Sequence, residues 1–575
     1  MRKFQKLLIR LPALFQASRR TIFTGRKQLN INDPEFVTLD RESEKDRDVV
    51  FKYNWGSWVR NDSIEKRKRY TPFKLSGVSE VVKRARDQAS DLRVESLVSL
   101  AEGKHHRIFL VDMNDGAQYI LRIPYPLDYS KAARRARVQS EVATMDFMRK
   151  KRNMLIPEII SWSPTADNPL EREYILMEYI APDSKGRQME TLMQKWDPIT
   201  EDVHQRGAVL RVIVDLLDDV LSTKFNAFGS LYFTEDVCPE LQNNLPYENE
   251  TDKELVDRWR IGPTVEKKFW QPGINQIDSV DRGPWYTPAD YLAATANAHV
   301  TAYTNLLKDR FSVSPELYSK LPQWRKAYEQ YAKLAPRLIP DSVPPDAPIL
   351  APVLWHPDID PLNILVNSQN ELTNSDAPFT SAYLLDWEGA CIKPYMFHGA
   401  PKFIEYTGQK IYNIDDVEGF NAFSDRVKAL VLYMVASTLN EYTFEHLINK
   451  ELPTLINAYS PNAKLLREPY KAAMRTDYHF EPQEIVQFES ALLKTQINWP
   501  ELTAHGLISP VDYTEDEAAR IENERKEFEE RVTTEIPFYS TKGWAPQNVF
   551  EDAVNKGEIV RIEGGDYILK SAEKK

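Results

Sequence analysis

The sequence predicts an α+β protein with two lobes, a small β-rich lobe followed by a larger, mainly helical lobe. Apolar residues make up 42% of the 575 residues, which is enough for large hydrophobic cores. Between residues 94 and 179, short β-rich segments flank one amphipathic stretch. From residue 203 onward, apolar residues recur mostly at helical spacing.

The predicted small lobe contains strands, then a helix, then another strand. A hairpin turn at Asn114-Asp115-Gly116 separates two of the strands, and Pro124 ends the second of them. The predicted strands are 94–101, 108–111, 119–123 and 174–179, and the predicted helix is 132–148. This order of elements is that of the small lobe of a kinase.

The predicted large lobe contains amphipathic helices at residues 204–222, 288–307, 315–334 and 420–445. Residues 234–287 are rich in proline, asparagine and charge, and we expect an insertion with little regular structure there. Residues 515–532 form a densely charged helix with few core positions, which favours a solvated or bridging helix.

One motif in the predicted large lobe indicates a specific chemistry. The stretch LWHPDIDPLNILV, residues 354–366, places His356 two residues before Asp358, and Asn363 five residues after that aspartate. This is the H-x-D-x-x-x-x-N spacing of a kinase catalytic loop. In such a loop the aspartate orients the attacking hydroxyl group and accepts its proton, and the asparagine oxygen holds a magnesium ion.

A second motif supplies a further metal ligand. The apolar run YLL, residues 383–385, ends at Asp386, and a kinase keeps its main magnesium ligand at such a strand end. We expect residues 363–367 and 382–387 to pair as a hairpin whose loop is the polar stretch 368–380. That pairing would bring Asn363 close to Asp386.

Other interpretations of these residues stay open at this point. His356, Asp358 and Asp360 could form the metal cluster of a hydrolase, although the following asparagine and the separate D-W motif favour the kinase loop. In the kinase interpretation, His356 is structural and Asp360 has no assigned role. Glu388 is either a further metal ligand or a solvated acid.

The chain resembles the aminoglycoside phosphotransferase and choline kinase superfamily, in which the second motif is D-W rather than D-F-G. LWHPDIDPLNILVN followed by LLDWEGA carries this resemblance. The stretches AEGKHHRIFLV, YILRIP, SEVATMDFM, YILMEY, FGSLYF and RIGP are similar to its fungal mitochondrial branch, which includes the altered inheritance of mitochondria protein 9 family. The resemblance extends from about residue 53 to about residue 510.

The resemblance implies roles for residues at matching positions. Asp358 matches the catalytic base, and Asn363 and Asp386 match the magnesium ligands. Arg122 stands where kinases keep a phosphate-binding lysine, and Glu141 matches the ion-pair partner of that lysine. Arg122 and Glu141 could instead be an ordinary ion pair between a strand and a helix, but their place in the order of elements favours the nucleotide role.

The resemblance also implies which residues face the nucleotide. Gly103 matches the covering loop, and Glu178 and Tyr179 match the hinge, which faces adenine through backbone groups. The loop has one glycine rather than G-x-G-x-x-G, and we expect His105 and His106 to be loop residues rather than ligands. The implied cofactors are ATP, or GTP, and Mg²⁺.

Composition restricts the function further. A net charge of −11 disfavours a general nucleic-acid binder, because phosphate backbones need concentrated lysine and arginine. The two cysteines, Cys238 and Cys391, disfavour a disulfide framework and a cysteine-based zinc site. The sequence predicts no segment long and apolar enough to span a bilayer.

The N-terminal segment differs from the rest of the chain. It is basic and amphipathic, and its first acidic residue is Asp33. This pattern predicts a mitochondrial targeting segment at residues 1–35, read by the mitochondrial import machinery. The alternative is a disordered basic tail.

The predicted organisation is a targeting segment at 1–35, an extension at 36–70, a small lobe at 71–178 and a large lobe at 179–575. The predicted function is ATP- and magnesium-dependent phosphoryl transfer to a small-molecule hydroxyl in the mitochondrial matrix, linked by resemblance to mitochondrial inheritance. No A-P-E segment follows Asp386, which disfavours a protein acceptor. The alternative is a pseudokinase that binds nucleotide or a partner as a scaffold, which Arg122 in place of lysine favours.

A fluorescent protein fused to residues 1–40 is expected to enter mitochondria, because the segment is basic and free of acids before Asp33. Microscopy and fractionation measure its location. A matched fusion with glutamine at Arg2, Lys3, Lys6 and Arg10 should stay in the cytosol. Cytosolic location of the unaltered fusion would contradict the prediction.

Overall fold

The described part of the chain divides between a sheet-rich lobe and a helical lobe that follows it, so the predicted α+β, two-lobed, kinase-like fold is confirmed. A computed structural model describes residues 36–37, 50–86, 91–182, 189–197, 202–271, 273–308, 310, 313–339, 343–368, 379–476, 482–503, 507–534, 543–562, 565 and 567–569. The predicted targeting segment lies outside these residues.

The small lobe is built on an antiparallel sheet, which has the strand order β1-β3-β4-β5-β7-β6 among the described residues. The strands up to this point of the chain are β1 (Phe36–Val37), β2 (Gly56–Trp58, outside this sheet), β3 (Val94–Glu102), β4 (His106–Met113), β5 (Gln118–Pro124), β6 (Ile159–Ser163) and β7 (Tyr174–Glu178). In this register Arg122 on β5 lies opposite Ile108 on β4 and Ile175 on β7.

Helices cover both faces of this sheet. The helices of the lobe are α1 (Asp62–Lys68), α2 (Ser76–Ala85) and α3 (Lys131–Arg152). One face packs on α2 through a core that includes Val78, Val82, Phe109, Leu121 and Ile123. The other face packs on α3 through Val138, Val142, Ile175 and Met177. Because side chains alternate along a strand, Arg122, between Leu121 and Ile123, faces α3.

The large lobe is mainly helical. The helices after α3 are α4 (Leu192–Lys195), α5 (Val203–Leu221), α6 (Pro288–Lys308), α7 (Pro315–Leu334), α8 (Asp425–Glu451), α9 (Pro461–Arg475), α10 (Pro482–Leu502), α11 (Glu515–Thr534) and α12 (Gln547–Asn555). The strands after β7 are β8 (Met189–Thr191), β9 (Ser230–Phe233), β10 (Trp259–Gly262), β11 (Pro352–Trp355), β12 (Ile364–Ser368), β13 (Phe379–Leu384), β14 (Cys391–Pro394), β15 (Trp544–Pro546), β16 (Ile559–Arg561) and β17 (Tyr567–Leu569). The last elements, α12 and β15 to β17, pack around Val59 and not in the core of the large lobe.

The helix predicted at 420–445 begins later than expected. Residues Phe420–Ala422 form a separate 3-10 turn, and α8 runs over Asp425–Glu451. Gly419 adopts a positive φ of 75° before that turn, and Ser424 is extended at the start of the helix. These two backbone conformations interrupt the helical pattern that the apolar spacing alone suggested.

The segment 234–287 contributes more to the core than its composition predicted. Its strand β10 pairs with β9, and Trp259, Phe269 and Trp285 are buried in the main core of the large lobe. The abundant proline, asparagine and charge mark the turns between these buried aromatic residues. The segment is therefore irregular in backbone but packed as part of the lobe.

A small sheet holds the two predicted chemical motifs. β12 pairs with β13 on one side and with β8 on the other, and Ile364 lies opposite Leu384. The expected hairpin is therefore present, and most of its loop, residues 369–378, lies outside the described residues. The pairing brings the residue before β12, Asn363, next to the residues that follow β13.

The charged helix α11 is a bridging helix. Its Ile521 is buried in the main core, and Arg520 pairs with Glu489 of α10 at 2.8 Å. Lys326 of α7 contacts Glu517, which lies one turn before Arg520 on α11. Within the described ranges, no helix has the length and apolar character needed to cross a membrane.

A segment that precedes the main sheet of the small lobe in the chain pairs with one that follows the large-lobe helices. β15 pairs antiparallel with β2, so that Trp544 lies opposite Trp58 and Pro546 opposite Gly56. The N–H of Val59 donates to the carbonyl oxygen of Gly543 at 2.9 Å. We call residues 55–59 together with the described residues from 543 to 569 the terminal clasp.

The terminal clasp adjoins the segment that holds the β3–β4 loop. The N–H groups of Asn54 and Trp55 donate to Glu102 Oε2 at 2.7 and 3.2 Å. Arg107 Nη2 donates to the carbonyl oxygen of Lys52 at 2.7 Å and also pairs with Glu102. Glu102 and Arg107 flank residues 103–106, so the segment preceding β2 braces the β3–β4 loop from both ends.

Gly56→Ala is expected to loosen the terminal clasp. A Cβ at this position would lie 2.3 Å from Trp544 Nε1 and 2.6 Å from the Ala545 carbonyl oxygen, so backbone must shift. The expected loss in local stability is about 1–3 kcal/mol, the range for overpacking. Hydrogen exchange of the amides of residues 55–59 measures it.

Gly207→Ala is the matched control, because a Cβ added at this position on α5 would meet nothing within 4 Å. It should leave exchange in the terminal clasp unchanged. Equal hydrogen exchange in the Gly56→Ala variant and in the parent would contradict the prediction, because the close approach of Trp544 would then not limit the size of the residue at position 56.

Candidate active site

The loop after β11 is held by a buried histidine. His356 is 3% exposed, and its Nδ1 accepts the N–H of Asp358 at 3.2 Å. Since Nδ1 accepts, Nε2 carries the hydrogen and donates to the carbonyl oxygen of Leu385 at 3.0 Å. His356 therefore ties the loop with Asp358 to the chain just before Asp386, which is the structural role that the sequence suggested.

Asp358 and Asn363 are in direct contact. Asn363 Nδ2 donates to the carbonyl oxygen of Asp358 at 3.0 Å and to its Oδ2 at 3.2 Å. Because the amide nitrogen is engaged in this way, the Oδ1 of Asn363 is the atom left for a cation. The side chain of Asp358 is 52% exposed, so a solute can reach it.

Asp386 stands at a turn that the surrounding packing holds in place. Its φ of 61° lies in the left-handed region, which costs about 1–2 kcal/mol for a residue other than glycine. The next residue, Trp387, is fully buried, stacks edge-on against His356 and donates from Nε1 to the Leu384 carbonyl oxygen at 3.0 Å. The N–H of Leu385 donates to the carbonyl oxygen of Asn363 at 2.8 Å.

Arg122 connects the small lobe to this turn. Its Nη1 pairs with Glu141 of α3, and its Nη2 donates to Asp386 Oδ1 at 2.6 Å. Nη2 also donates to His106 Nδ1 at 2.9 Å and lies 3.5 Å from Glu388 Oε2. One buried guanidinium therefore contacts groups from both lobes.

Glu388 makes a second connection between the lobes. Arg137, one helical turn before Glu141, pairs through Nε and Nη2 with Glu388 Oε1, the Nε contact being 3.1 Å. The side chain of Glu388 is only 12% exposed. The interpretation of Glu388 as a solvated acid is therefore wrong.

Arginine controls the charge of both acids in the turn. Burial would raise the pKa of Asp386, but the guanidinium of Arg122 outweighs it and holds that pKa below its usual range. Burial would likewise raise the pKa of Glu388, and Arg137 holds it well below the usual range. Both carboxylates are ionised at neutral pH and available to cations.

The other predicted positions lie around this centre. The loop with Gly103 is a tight turn in which the Gly103 N–H donates to the His106 carbonyl oxygen at 2.8 Å. In the catalytic loop, burial raises the pKa of Asp360. The side chain of Glu178 turns away, since its Oε2 accepts the N–H of Glu158 at 3.0 Å.

The structure thus brings most predicted residues together in two groups. Arg122, Glu141 and Asp386 form one contact set, and Asp358 and Asn363 form the other. The bond from the Leu385 N–H to the Asn363 carbonyl oxygen joins them. Gly103 and Glu178 hydrogen-bond to other residues, His106 and Glu158, and the backbone role implied for Glu178 and Tyr179 stays a prediction.

Sequence reasoning missed three residues at this centre. His106 was expected to be a loop residue but is buried against Arg122. The sequence pattern does not single out Arg137, and it leaves the role of Glu388 open. The one available signal was spacing, since Arg137 and Glu141 are four residues apart and share a face of α3.

The oxygen donors suit a hard cation. The carboxylate of Asp386 and the amide oxygen of Asn363 are the ligand types that Mg²⁺ prefers, together with phosphate oxygens. Glu388 and His106 lie close by, and one ligand atom each from His106, Asp386 and Glu388 falls within 4.8 Å of the others. The residues present therefore fit a magnesium-bound nucleotide.

The chain is similar over nearly its full length to proteins named altered inheritance of mitochondria protein 9, mitochondrial. The protein from Yarrowia lipolytica is 37% identical over 568 residues, covering 96% of this chain and 94% of its own. The protein from Kluyveromyces lactis is 33% identical over 602 residues, covering 94% of this chain and 93% of its own. No protein-family model matches.

Solved structures give a weaker likeness. An aminoglycoside phosphotransferase from Alicyclobacillus acidocaldarius is 10% identical, covers 76% of this chain and 93% of its own, and has a TM-score of 0.26. A TM-score of 0.26 is too low to support a fold, so the fold is assigned from the topology of the two lobes of this chain.

His356→Gln is expected to reduce the acid sensitivity of the fold. Burial lowers the pKa of His356 from 6.5 to about 4. Below about pH 6.5 the unfolded chain takes up this proton more readily than the folded one, so stability falls as the pH drops towards 4. His356 should account for about 2 kcal/mol of the loss between about pH 7 and pH 4.5. Denaturant unfolding at both pH values measures it.

The Gln variant should be less stable than the parent at neutral pH, because it loses the contacts with Leu385 and Trp387. Its decline in acid should nevertheless be shallower. Parallel declines in both proteins would mean that His356 is not held neutral by burial.

Proposed function

The chain belongs to the altered inheritance of mitochondria protein 9 family, and we propose that it transfers a phosphoryl group from ATP or GTP, with magnesium, to a hydroxyl group of a small molecule. The relatives carry the word mitochondrial in their names, so the chain is a mitochondrial protein. We place the reaction in the matrix, reached through the import machinery, and its cellular role in mitochondrial inheritance.

The contact between the two site groups is the observation that carries this proposal. Asp358 stands exposed within a loop that also presents Asn363, and that loop is bonded to the turn of Asp386. The proposed base and the proposed magnesium ligands thus lie on one rigid frame. Phosphoryl transfer needs this, since its rate depends mostly on positioning and on stabilising charge.

Asp358 has the exposure and the charge required of the base. It would accept the proton of the acceptor hydroxyl as the hydroxyl oxygen forms a bond to the γ-phosphorus. The bond between the γ-phosphorus and the β–γ bridging oxygen would break, and the nucleoside diphosphate would leave. Asp386 and Asn363 would hold the magnesium ion, which neutralises phosphate charge when bound. Arg122 adds a fixed positive charge at the same place.

The segment after Asp386 supports a small acceptor. β14 follows the turn at once and pairs with β11, so the chain folds back beside the catalytic loop. Lys402 then approaches Asp358, with its Nζ 3.7 Å from Oδ1. A protein kinase uses this part of the chain as an extended docking platform, which the described residues here do not form.

A scaffold without phosphoryl transfer is the second candidate. One observation favours it, namely that Arg122 Nη2 already occupies Asp386 Oδ1 at 2.6 Å. If that contact persisted with nucleotide present, one oxygen of the proposed magnesium ligand would be blocked. A metal ion could still bind through the other carboxylate oxygen.

Asp358→Asn is expected to separate these two candidates. The change keeps size and removes the charge that takes the proton, so turnover should fall by roughly a hundred-fold to ten-thousand-fold, as for loss of a general base. Nucleotide binding should stay near normal. The measurement is transfer of labelled phosphate to a mitochondrial metabolite extract, with calorimetry for Mg-ATP affinity.

Asp386→Asn is the comparison variant, and it should lose the magnesium-dependent part of nucleotide affinity as well as turnover. If the parent protein binds Mg-ATP and transfers phosphate to nothing in the extract, the scaffold candidate is favoured. Equal transfer by the parent and the Asp358 variant would remove Asp358 from the role of base.

A further inference from the structure

Arg122 Nη2 sits among three acceptors drawn from both lobes. Asp386 Oδ1 lies at 2.6 Å, His106 Nδ1 at 2.9 Å and Glu388 Oε2 at 3.5 Å. One ligand atom of each of the three residues lies within 4.8 Å of the others, which is close enough for one metal ion to touch them all. In this chain the Nη2 atom of Arg122 lies where such a metal ion would bind.

The imidazole of His106 acts here as an acceptor. A guanidinium has only donors, so the 2.9 Å contact requires a lone pair on His106 Nδ1. Nδ1 cannot then donate to Glu388, from which it is 3.4 Å away. An imidazole lone pair beside two carboxylates is also how a divalent metal ion is ligated.

The charges around this position are nearly balanced without a metal ion. Two buried guanidinium groups, those of Arg122 and Arg137, face the three carboxylates of Glu141, Asp386 and Glu388. Arg137 engages Oε1 of Glu388 and leaves Oε2 towards Arg122. One carboxylate charge remains uncompensated, which fits a single additional cation on Asp386.

We infer that the guanidinium of Arg122 fills a cation position made by His106, Asp386 and Glu388, so that the nucleotide is bound with one divalent ion rather than two. Protein kinases hold two magnesium ions through an aspartate and an asparagine. Here one oxygen of the aspartate, Asp386 Oδ1, is already engaged by an internal cation.

Arginine suits this position because it has two terminal nitrogens. Nη1 pairs with Glu141 while Nη2 fills the position among the three acceptors. A lysine has one ammonium nitrogen, so it could either pair with Glu141 or fill the position among the three acceptors, but not both at once. Removing Arg122 should leave a set of one imidazole and two carboxylates, which suits Mn²⁺, Co²⁺ or Zn²⁺ better than Mg²⁺.

The first experiment uses full-length protein freed of metal and without nucleotide, so it does not depend on the proposed function. Arg122→Ala should bind one equivalent of Co²⁺ at least tenfold more tightly than the parent, as followed by visible absorption. Co²⁺ or Mn²⁺ should also raise the Tm of this variant and not that of the parent. The double variant Arg122→Ala with His106→Ala should lose both effects.

Three results would overturn the inference in this experiment. The folded Arg122→Ala protein could bind no additional metal ion, or the double variant could bind it as well as the single one. The parent protein binding Co²⁺ through His106 would contradict it too, because the position would then be open beside Arg122.

The second experiment uses the parent protein and holds even if the variant does not fold. Electron paramagnetic resonance with Mn²⁺ and a non-hydrolysable ATP analogue should count one ion per bound nucleotide. A count of two ions per nucleotide would contradict the inference and would leave the proposed function unaffected. If the nucleotide does not bind at all, the proposed function is contradicted. The first experiment, which measures Co²⁺ binding without nucleotide, would then still test whether Arg122 fills the cation position.

Discussion

The buried guanidinium of Arg122 is the constraint on which the rest of the site depends. It belongs to the small lobe and contacts Glu141 there, but its second nitrogen is bound to Asp386 of the large lobe. A buried charge is tolerated only when it is paired, and removing one partner leaves the others uncompensated. The relative placement of the lobes is therefore specified by charge, with Arg137 and Glu388 as a second connection of the same kind.

The strained turn at Asp386 is held from the opposite side by packing. Trp387 is buried in the core of the large lobe, and His356 bonds to the Leu385 carbonyl oxygen, so the residues on either side are fixed. Asp386 is left with a left-handed backbone and an ion pair across the cleft. Local strain is commonly kept at functional sites where the surroundings over-determine the conformation, and this turn meets that description.

The parts of the site that could be predicted from the sequence are those set by local pattern. The spacing of His356, Asp358 and Asn363 defines a loop, and the apolar run before Asp386 defines a strand end, so both were predictable. His106 and Arg137 acquire their roles from partners far along the chain, with 251 residues separating Arg137 from Glu388. No local pattern encodes such a pairing, and the same holds for the aromatic residues of the segment 234–287, which are buried only once the whole lobe is assembled.

The terminal clasp has a consequence for how the chain reaches its final form. The indole of Trp544 bonds to the hydroxyl of Tyr53, a residue 491 positions earlier. A polypeptide leaves the ribosome, or passes through a membrane pore, with its N-terminus first. Strand β2 can therefore pair with β15 only after almost the entire chain has emerged. Until then the edge of β2 is unpaired, and Tyr53 and Trp58 lack the packing of Trp544. A product that stops short of residue 543 would carry that uncovered edge permanently, and a protease or chaperone that recognises exposed aromatic residues could use it to distinguish unfinished chains from finished ones.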